Sequence, residues 1–276
     1  MMWSAVVFAI TLLVGCYAQH GPCPDSSAIY PCYCYSSDHS TVLTCEKLSD
    51  LKTLKTALDA ANGRVIHLQV IDSTFGEIPS NFFTGPKIES IAFDNCVIES
   101  LGNRPFSGQE DYLEDIEISD SLYEYKKDFE TFPLDHLKKL KSIDLLQNNI
   151  KRIGNDWFKN GPQSLTALFL EDNGIEELGD SAFASLVNLE EIWLGKNKFK
   201  TLKRSILPPT LNGLERLDIS FGELEVLPKD MFTGMPKLNS VLFAGNQIKS
   251  FPEDTWGNIW GQLGTVYVDF NPILCD

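Results

Sequence analysis

The sequence predicts a right-handed α/β solenoid, in which short coils stack along one axis and a curved parallel sheet lines the concave face. A pattern of apolar residues recurs nine times from Val65 onward, at steps of 23 to 27 residues. Within each copy, two apolar residues that are two positions apart share one face of a strand, and most copies place a small polar residue three positions later. One coil cannot bury its own apolar face, so the repetition is what makes a core.

Residues 140–158 show the pattern most clearly, with apolar residues at positions 1, 4, 6, 11 and 14 and Asn148 at position 9. This spacing is that of a leucine-rich repeat. Position 1 of coils one to nine is occupied by Val65, Ile88, Leu113, Leu140, Leu165, Leu189, Leu214, Leu238 and Leu263. Position 9 is occupied by Ser73, Cys96, Ser121, Asn148, Asn173, Asn197, Gly222, Asn246 and Asn271. An Asn there can bond to the turn backbone, so we expect the loosest turns at Ser121 and Gly222.

Composition and motifs exclude several classes of function. The 276-residue chain has a formal net charge of −15 and a pI near 4.7, which argues against nucleic acid and anionic membranes as partners. Its four His residues show no metal-ligand spacing, and the sequence has no Gly-x-Ser-x-Gly and no phosphate-binding loop. We therefore predict one extended, non-enzymatic domain with no cofactor and no metal.

The first 18 residues predict a signal peptide. They contain no Asp, Glu, Lys or Arg, and the apolar run from Val6 to Val14 is too short to span a membrane. Cys16-Tyr17-Ala18 allows cleavage before Gln19, which predicts a secreted protein. A bacterial lipobox at 13–16 is the alternative. No other apolar run approaches the ~20 residues of a membrane span, so the chain predicts no such span.

Four clustered cysteines, Cys23, Cys32, Cys34 and Cys45, predict two disulfides in a secreted chain, and the residues alone leave three pairings open. Together with Pro24 they resemble the N-terminal cysteine cap of extracellular animal leucine-rich repeat proteins, of the Slit type, the small-proteoglycan type and receptor ectodomains. The resemblance implies the pairs Cys23–Cys34 and Cys32–Cys45. A stapled cap would cover the apolar end of the first coil.

A narrower resemblance begins at Ile29-Tyr30-Pro31-Cys32-Tyr33-Cys34. Together with the irregular early repeats, this segment is similar to secreted arthropod proteins related to the non-catalytic leucine-rich subunit of Oplophorus luciferase. A short amphipathic helix is predicted over 48–61, with Ser49 as its cap. We thus predict a cysteine cap and helix over residues 19–63 and repeats over residues 64–276.

The last six residues, Asn271 to Asp276, resemble the opening of a C-terminal cysteine cap. A second cysteine of such a cap is absent, so we expect either a longer protein or a different closure. In the second case Cys275 would be free or bridge two chains, and the open end would favour a dimer. Cys96, at position 9 of coil two, is expected to be a buried free thiol.

The binding surface follows from the repeat, because positions 3, 5 and 7 point onto the concave face. Positions 3, 5, 7 and 8 hold eleven acidic residues, against only Lys196 and Arg216. Phe169 and Trp193 are adjacent at position 5, which predicts a hot spot. The predicted partner-binding residues are Phe169, Trp193, Leu146, Asp144, Glu117, Glu171, Asp218 and Tyr267. An acidic cluster in coils three and four could instead hold calcium, although solvated carboxylates are the simpler interpretation.

These residues predict an extracellular scaffold that binds a protein partner with basic and apolar groups, without catalysis. Two alternatives stay open at this point. One is a non-catalytic subunit of a secreted luciferase-like oxidative complex, which the narrower resemblance implies. The other is a structural matrix component, for which self-association would be the diagnostic property.

Overall fold

The computed structural model describes residues 22–123 and 131–273, so the predicted signal peptide and Cys275 lie outside the described residues. The strands are β1 Tyr33–Ser36, β2 Thr41–Glu46, β3 Val65–Ile71, β4 Thr74–Glu77, β5 Lys87–Asp94, β6 Val97–Ser100, β7 Asp115–Ser119, β8 Ser142–Asp144, β9 Arg152–Ile153, β10 Ala167–Phe169, β11 Glu177–Leu178, β12 Glu191–Trp193, β13 Arg216–Asp218, β14 Ser240–Leu242 and β15 Thr265–Tyr267. The helices are α1 Ser26–Ile29, α2 Leu51–Ala60 and α3 Glu253–Trp256, with 3₁₀ turns at Arg204–Ile206 and Trp260–Gln262.

The main sheet of the described chain has eleven strands in the order β1-β2-β3-β5-β7-β8-β10-β12-β13-β14-β15. The strands from β2 onward pair in parallel, and β1 pairs antiparallel with β2 at the N-terminal edge. Each successive strand of the sheet after β2 belongs to the next coil, as a solenoid requires. The predicted α/β solenoid is thus confirmed, with the helices reduced to a few short turns on the convex side.

The core lies between the sheet and the convex segments. In coil four, Leu140, Ile143 and Leu145 are fully buried. An aromatic residue from most coils fills the convex side, and all of these are buried: Phe83, Phe106, Phe158, Phe183, Phe232 and Trp256. Each such side chain contributes about 1.5–3 kcal/mol when removed from water. Coil one deviates in one detail, because a register shift between Ile66 and His67 buries Ile66 instead of Val65.

The residues at position 9 form a buried column, which we call the Asn ladder. The Asn173 amide donates to Leu145 O at 2.8 Å in the preceding coil, and its Oδ1 accepts from Asn148 N at 2.8 Å. The expectation of loose turns at Ser121 and Gly222 stays a prediction, although both positions make close contacts. The Ser121 hydroxyl accepts from Cys96 N at 2.9 Å, and a Cβ on Gly222 would lie 2.9 Å from a neighbouring carbonyl oxygen.

The N-terminal cap is stapled as the resemblance implied, by Cys23–Cys34 and Cys32–Cys45. Helix α2 follows and buries Leu54 and Leu58 against the first coil. The N-cap of α2 is Asp50, not Ser49, because the Asp50 carboxylate accepts from Thr53 N at 2.8 Å. Carboxylates cap helices as well as hydroxyls do. The cap lies one residue later than predicted, and the helix covers Leu51–Ala60 instead of 48–61.

Candidate functional site: the concave sheet face

The sheet places position 5 of every coil in one continuous column across the concave face. Direct pairing joins Glu117 to Asp144, Asp144 to Phe169 and Phe169 to Trp193. Adjacent strands lie about 4.8 Å apart, so neighbouring members of the column can contact one another. The full column reads Thr44, Gln69, Ala92, Glu117, Asp144, Phe169, Trp193, Asp218, Leu242 and Tyr267.

Three predicted carboxylates, Glu117, Asp144 and Glu171, lie in consecutive coils. Asp144 and Glu171 are half-buried, whereas Glu117 is exposed. Burial raises the pKa of Glu171 to about 7, and the charges of Asp144 and Asp218 add to this effect while Lys196 opposes it. Burial also raises the pKa values of Asp144 and Glu117. This part of the face thus holds two half-buried carboxylates, Asp144 and Glu171, whose charge is poorly solvated.

The aromatic pair lies beside these acids, with the Phe169 and Trp193 ring centroids 6.0 Å apart. Trp193 is held in place from the other side. Its Nε1 donates to Glu191 at 3.0 Å, and the Arg216 guanidinium lies 5.4 Å from its ring centroid. Arg216 also pairs with Glu191 at 3.7 Å. Arg216 therefore stacks on the tryptophan and neutralises Glu191, and the indole is fixed rather than free.

The remaining predicted residues differ in accessibility. Leu146 is half-buried next to Asp144, and Tyr267 is 52% exposed at the C-terminal end of the column. Asp218 corrects the prediction, because it is only 6% exposed. Its Oδ1 accepts hydrogen bonds from the Ser220 amide at 2.7 Å and the Ser220 hydroxyl at 2.5 Å. This carboxylate fixes its own turn and is not presented to a partner.

Two exposed surfaces were missed by the sequence reasoning. The first is a pair of phenylalanines at position 8, Phe221 and Phe270, which are 60% and 85% exposed. The second is an apolar cavity of about 520 Å³ between coils eight and nine, lined in part by Phe251, Trp256 and Trp260. The repeat pattern could have drawn attention to the phenylalanines, because the other coils mostly place polar residues at position 8.

Some chemistry is absent from the described residues. Over 22–123 and 131–273, no three His, Cys, Asp or Glu side chains come together as a group that could hold a metal ion. Cys96 is buried there with its thiol 3.4 Å from Val70 O, and burial raises its pKa to about 11. Such a thiol is a poor nucleophile. Within the same ranges, no helix has the length and apolar character needed to cross a bilayer.

The fold and the Asn ladder define a solenoid protein of the leucine-rich repeat class. The chain belongs to the BspA type leucine rich repeat region family, whose repeats match residues 66–163, 113–239 and 151–268. It is similar to Toll-like receptor 9 of Mus musculus, with 30% identity over 141 residues that make up 50% of this chain and 13% of the receptor. It is also similar to lumican of Gallus gallus, with 35% identity over 119 residues covering 43% of this chain and 32% of lumican.

Solved structures agree with this fold. A chain of the octameric complex of Latrophilin 3, Unc5D and FLRT2 (LRR) superposes with a TM-score of 0.62 at 17% identity, covering 85% of this chain and 76% of that one. A leucine-rich repeat protein of Leptospira interrogans gives a TM-score of 0.52 at 13% identity, covering 84% and 62% of the two chains. The aligned region of this chain spans less than a third of the length of the two curated relatives named above.

Proposed function

We propose that this chain is a secreted, non-catalytic scaffold whose concave sheet face binds a protein partner with basic and apolar groups. The observation that supports this most is the row of Glu117, Asp144 and Glu171 beside the Phe169–Trp193 pair. A partner cation would offset the unfavourable burial of these carboxylates, and apolar partner groups would cover Phe169. The two disulfides are typical of a protein that folds in an oxidising compartment.

The residue set differs from the one that the sequence predicted in a single respect. Glu117, Asp144, Leu146, Phe169, Glu171, Trp193 and Tyr267 form the proposed surface, while Asp218 is left out because it is buried. Trp193 contributes a fixed platform, since Glu191 and Arg216 already hold its ring. Fixed aromatic side chains favour affinity because little conformational entropy is lost on binding.

A binding experiment tests the proposal. The immobilised chain is exposed to extract of its source tissue, and retained proteins are identified and quantified at low and at moderate salt. We expect a retained partner whose amount falls at least tenfold in the variant E117Q/E171Q, because the affinity depends on charge. The control variant E77Q/E176Q removes two exposed carboxylates outside the concave strands and should retain the partner. Equal retention by both variants would contradict the proposal.

A second candidate function is a structural component that associates with its own copies. It is favoured by the apolar cavity that Phe251, Trp256 and Trp260 line in part. Exposed apolar patches promote association. A dimer in sedimentation that W260S abolishes would support this candidate. The further alternative, a subunit of a luciferase-like oxidative complex, stays a prediction that depends on the resemblance at residues 29–34.

A further inference from the structure

Position 8 of every coil adopts a left-handed backbone. Its nine φ values lie between +50° and +68°, at Asp72, Asn95, Asp120, Gln147, Asp172, Lys196, Phe221, Gly245 and Phe270. This conformation suits Gly, Asn and Asp and disfavours bulky side chains. Coils seven and nine nevertheless place phenylalanine there. Strained residues of this kind persist where the surrounding structure enforces them, and they cluster at functional sites.

The two phenylalanines are also exposed to solvent, at 60% for Phe221 and 85% for Phe270. Gly245 lies between them, because Phe221 N bonds to Ala244 O and Gly245 N bonds to Asp269 O. A Cβ on Gly245 would lie 2.6 Å from Cδ1 of Phe221, so the ring lies against this glycine. The three residues form what we call the aromatic ridge, defined by Phe221, Gly245 and Phe270.

The ridge borders the same concave face as the acidic row. Leu242 and Tyr267 pair at position 5 of coils eight and nine, three residues before Gly245 and Phe270 along the chain. Glu171 lies two coils before Phe221, and Lys196 lies between them at position 8 of coil six. Carboxylates are therefore most frequent in coils three to five, whereas coils seven to nine carry the aromatic ridge and one exposed carboxylate of the face, Asp269.

We infer that the partner of this face is an extended segment with basic residues at one end and apolar residues at the other, and that the aromatic ridge binds its apolar end. The inference depends on the proposed function and adds the polarity of the partner. From Glu117 in coil three to Phe270 in coil nine there are six strand spacings, or about 29 Å. An extended peptide of about nine residues covers this distance.

Charge decides between this occupant and a second copy of the chain. The chain has a formal net charge of −15, so a copy lying across the acidic row would meet like charge. A basic segment meets opposite charge at the row and a mainly aromatic surface at the ridge, where Asp269 is the exposed carboxylate. Both ends of the face are then covered by one continuous ligand.

Two synthetic ten-residue peptides of identical composition test the inference. One has a block of five Lys and Arg followed by a block of five Leu and Phe, and the other alternates basic and apolar residues. Fluorescence anisotropy measures their affinity for the full chain. We expect the block peptide to bind at least tenfold more tightly, and we expect the variant F221N/F270N to lose this preference.

Asn is chosen so that the variant still folds, because Asn tolerates the left-handed backbone better than Phe does. The melting temperature of F221N/F270N should therefore equal or exceed that of the unmodified chain. A lower melting temperature with unchanged block preference would show a packing role only and would overturn the inference.

The variant E117Q/E171Q separates the two proposals. In one outcome E117Q/E171Q lowers the affinity for both peptides, while F221N/F270N still binds the block peptide more tightly than the alternating one. The acidic face then binds cations without the aromatic ridge, and only the further inference fails. If neither variant changes the affinity for either peptide, or if neither peptide binds, the proposed function fails together with it.

Discussion

Coils one to three and coils four to nine stack by different means. The early coils have strands of seven, eight and five residues, whereas each later coil has a strand of three. Both regions add a second parallel pair outside the main sheet, but β4 and β6 of the early coils have four residues each, whereas β9 and β11 of the later coils have two. Their ladder residues are Ser73, Cys96 and Ser121, and those of most later coils are asparagines.

Strand pairing and the Asn ladder thus substitute for each other in joining neighbouring coils. An asparagine such as Asn197 joins coils through its amide, which donates to Leu170 O at 2.9 Å and accepts from Ile175 N at 2.9 Å. A hydroxyl has fewer hydrogens to donate, so Ser73 accepts from Leu48 N and donates only to Ile71 O. The longer strands of the early coils supply the backbone bonds that the shorter ladder side chains do not.

Removal of one ladder residue from each region should give the largest contrast. Asn173→Ala leaves Leu145 O and Asn148 N without their side-chain partners in a buried column, and we expect a loss of about 3 kcal/mol in the free energy of unfolding. Ser73→Ala leaves Leu48 N unpaired, and we expect a loss of about 1 kcal/mol. Urea unfolding followed by circular dichroism measures both.

The contrast between the two variants is the quantity of interest. Equal losses in the free energy of unfolding would mean that a ladder residue stabilises both regions to the same extent. The longer strands of the early coils would then not compensate for a weaker ladder. Gln247→Ala is the control, because this exposed side chain lies outside the ladder and its removal should change the free energy of unfolding little. Asn149 is less suitable, because its φ of +60° disfavours alanine.

Gly222 interrupts the ladder in coil seven and gives a smaller test. Gly222→Asn would restore the consensus residue, yet a Cβ there would lie 2.9 Å from Asn197 O and 3.0 Å from the Asn246 amide oxygen. We therefore expect a loss of about 1 kcal/mol instead of a gain, because the neighbouring coils have closed around the glycine. Thermal unfolding against the unmodified chain measures the sign, and a higher melting temperature would show that the turn can open for a side chain.

The repeat register was predictable from the sequence because apolar spacing alone decides which side chains enter the core. It placed Phe169 next to Trp193, and the pairing of their strands confirms this. The alternation of apolar and polar residues along a strand does not predict whether a neighbouring residue covers an outward-facing side chain. Asp218 folds back on Ser220, and Arg216 stacks on Trp193, through contacts that depend on rotamers rather than on position. Phe221 and Phe270 do not themselves signal a left-handed backbone, but Asp, Asn or Gly at position 8 of five other coils is typical of it.

The smallest expected effect is the pH dependence of stability that comes from Glu171 on the concave face. Glu171 is only partly buried, so solvent screens its charge. The fold raises the pKa of this carboxyl from 4.5 to about 7, mainly through burial. A raised carboxyl pKa means that the folded chain binds the proton more tightly than the unfolded chain. The stability that depends on Glu171 is therefore fully present below pH 4.5 and falls as the pH rises to about 7.

Chemical unfolding at several pH values between 4.5 and 7.5 measures this effect. Glu171→Gln should remove part of the fall in stability with rising pH, whereas Glu176→Gln, an exposed carboxylate of the same coil, should leave the slope unchanged. If both variants keep the slope of the unmodified chain, Glu171 is solvated and the acidic row has no stored electrostatic cost. If only Glu171→Gln flattens the slope, the buried charge of Glu171 destabilises the folded chain, and a cationic partner would offset this cost. The later coils then gain stability from the ladder and lose part of that stability on the concave face.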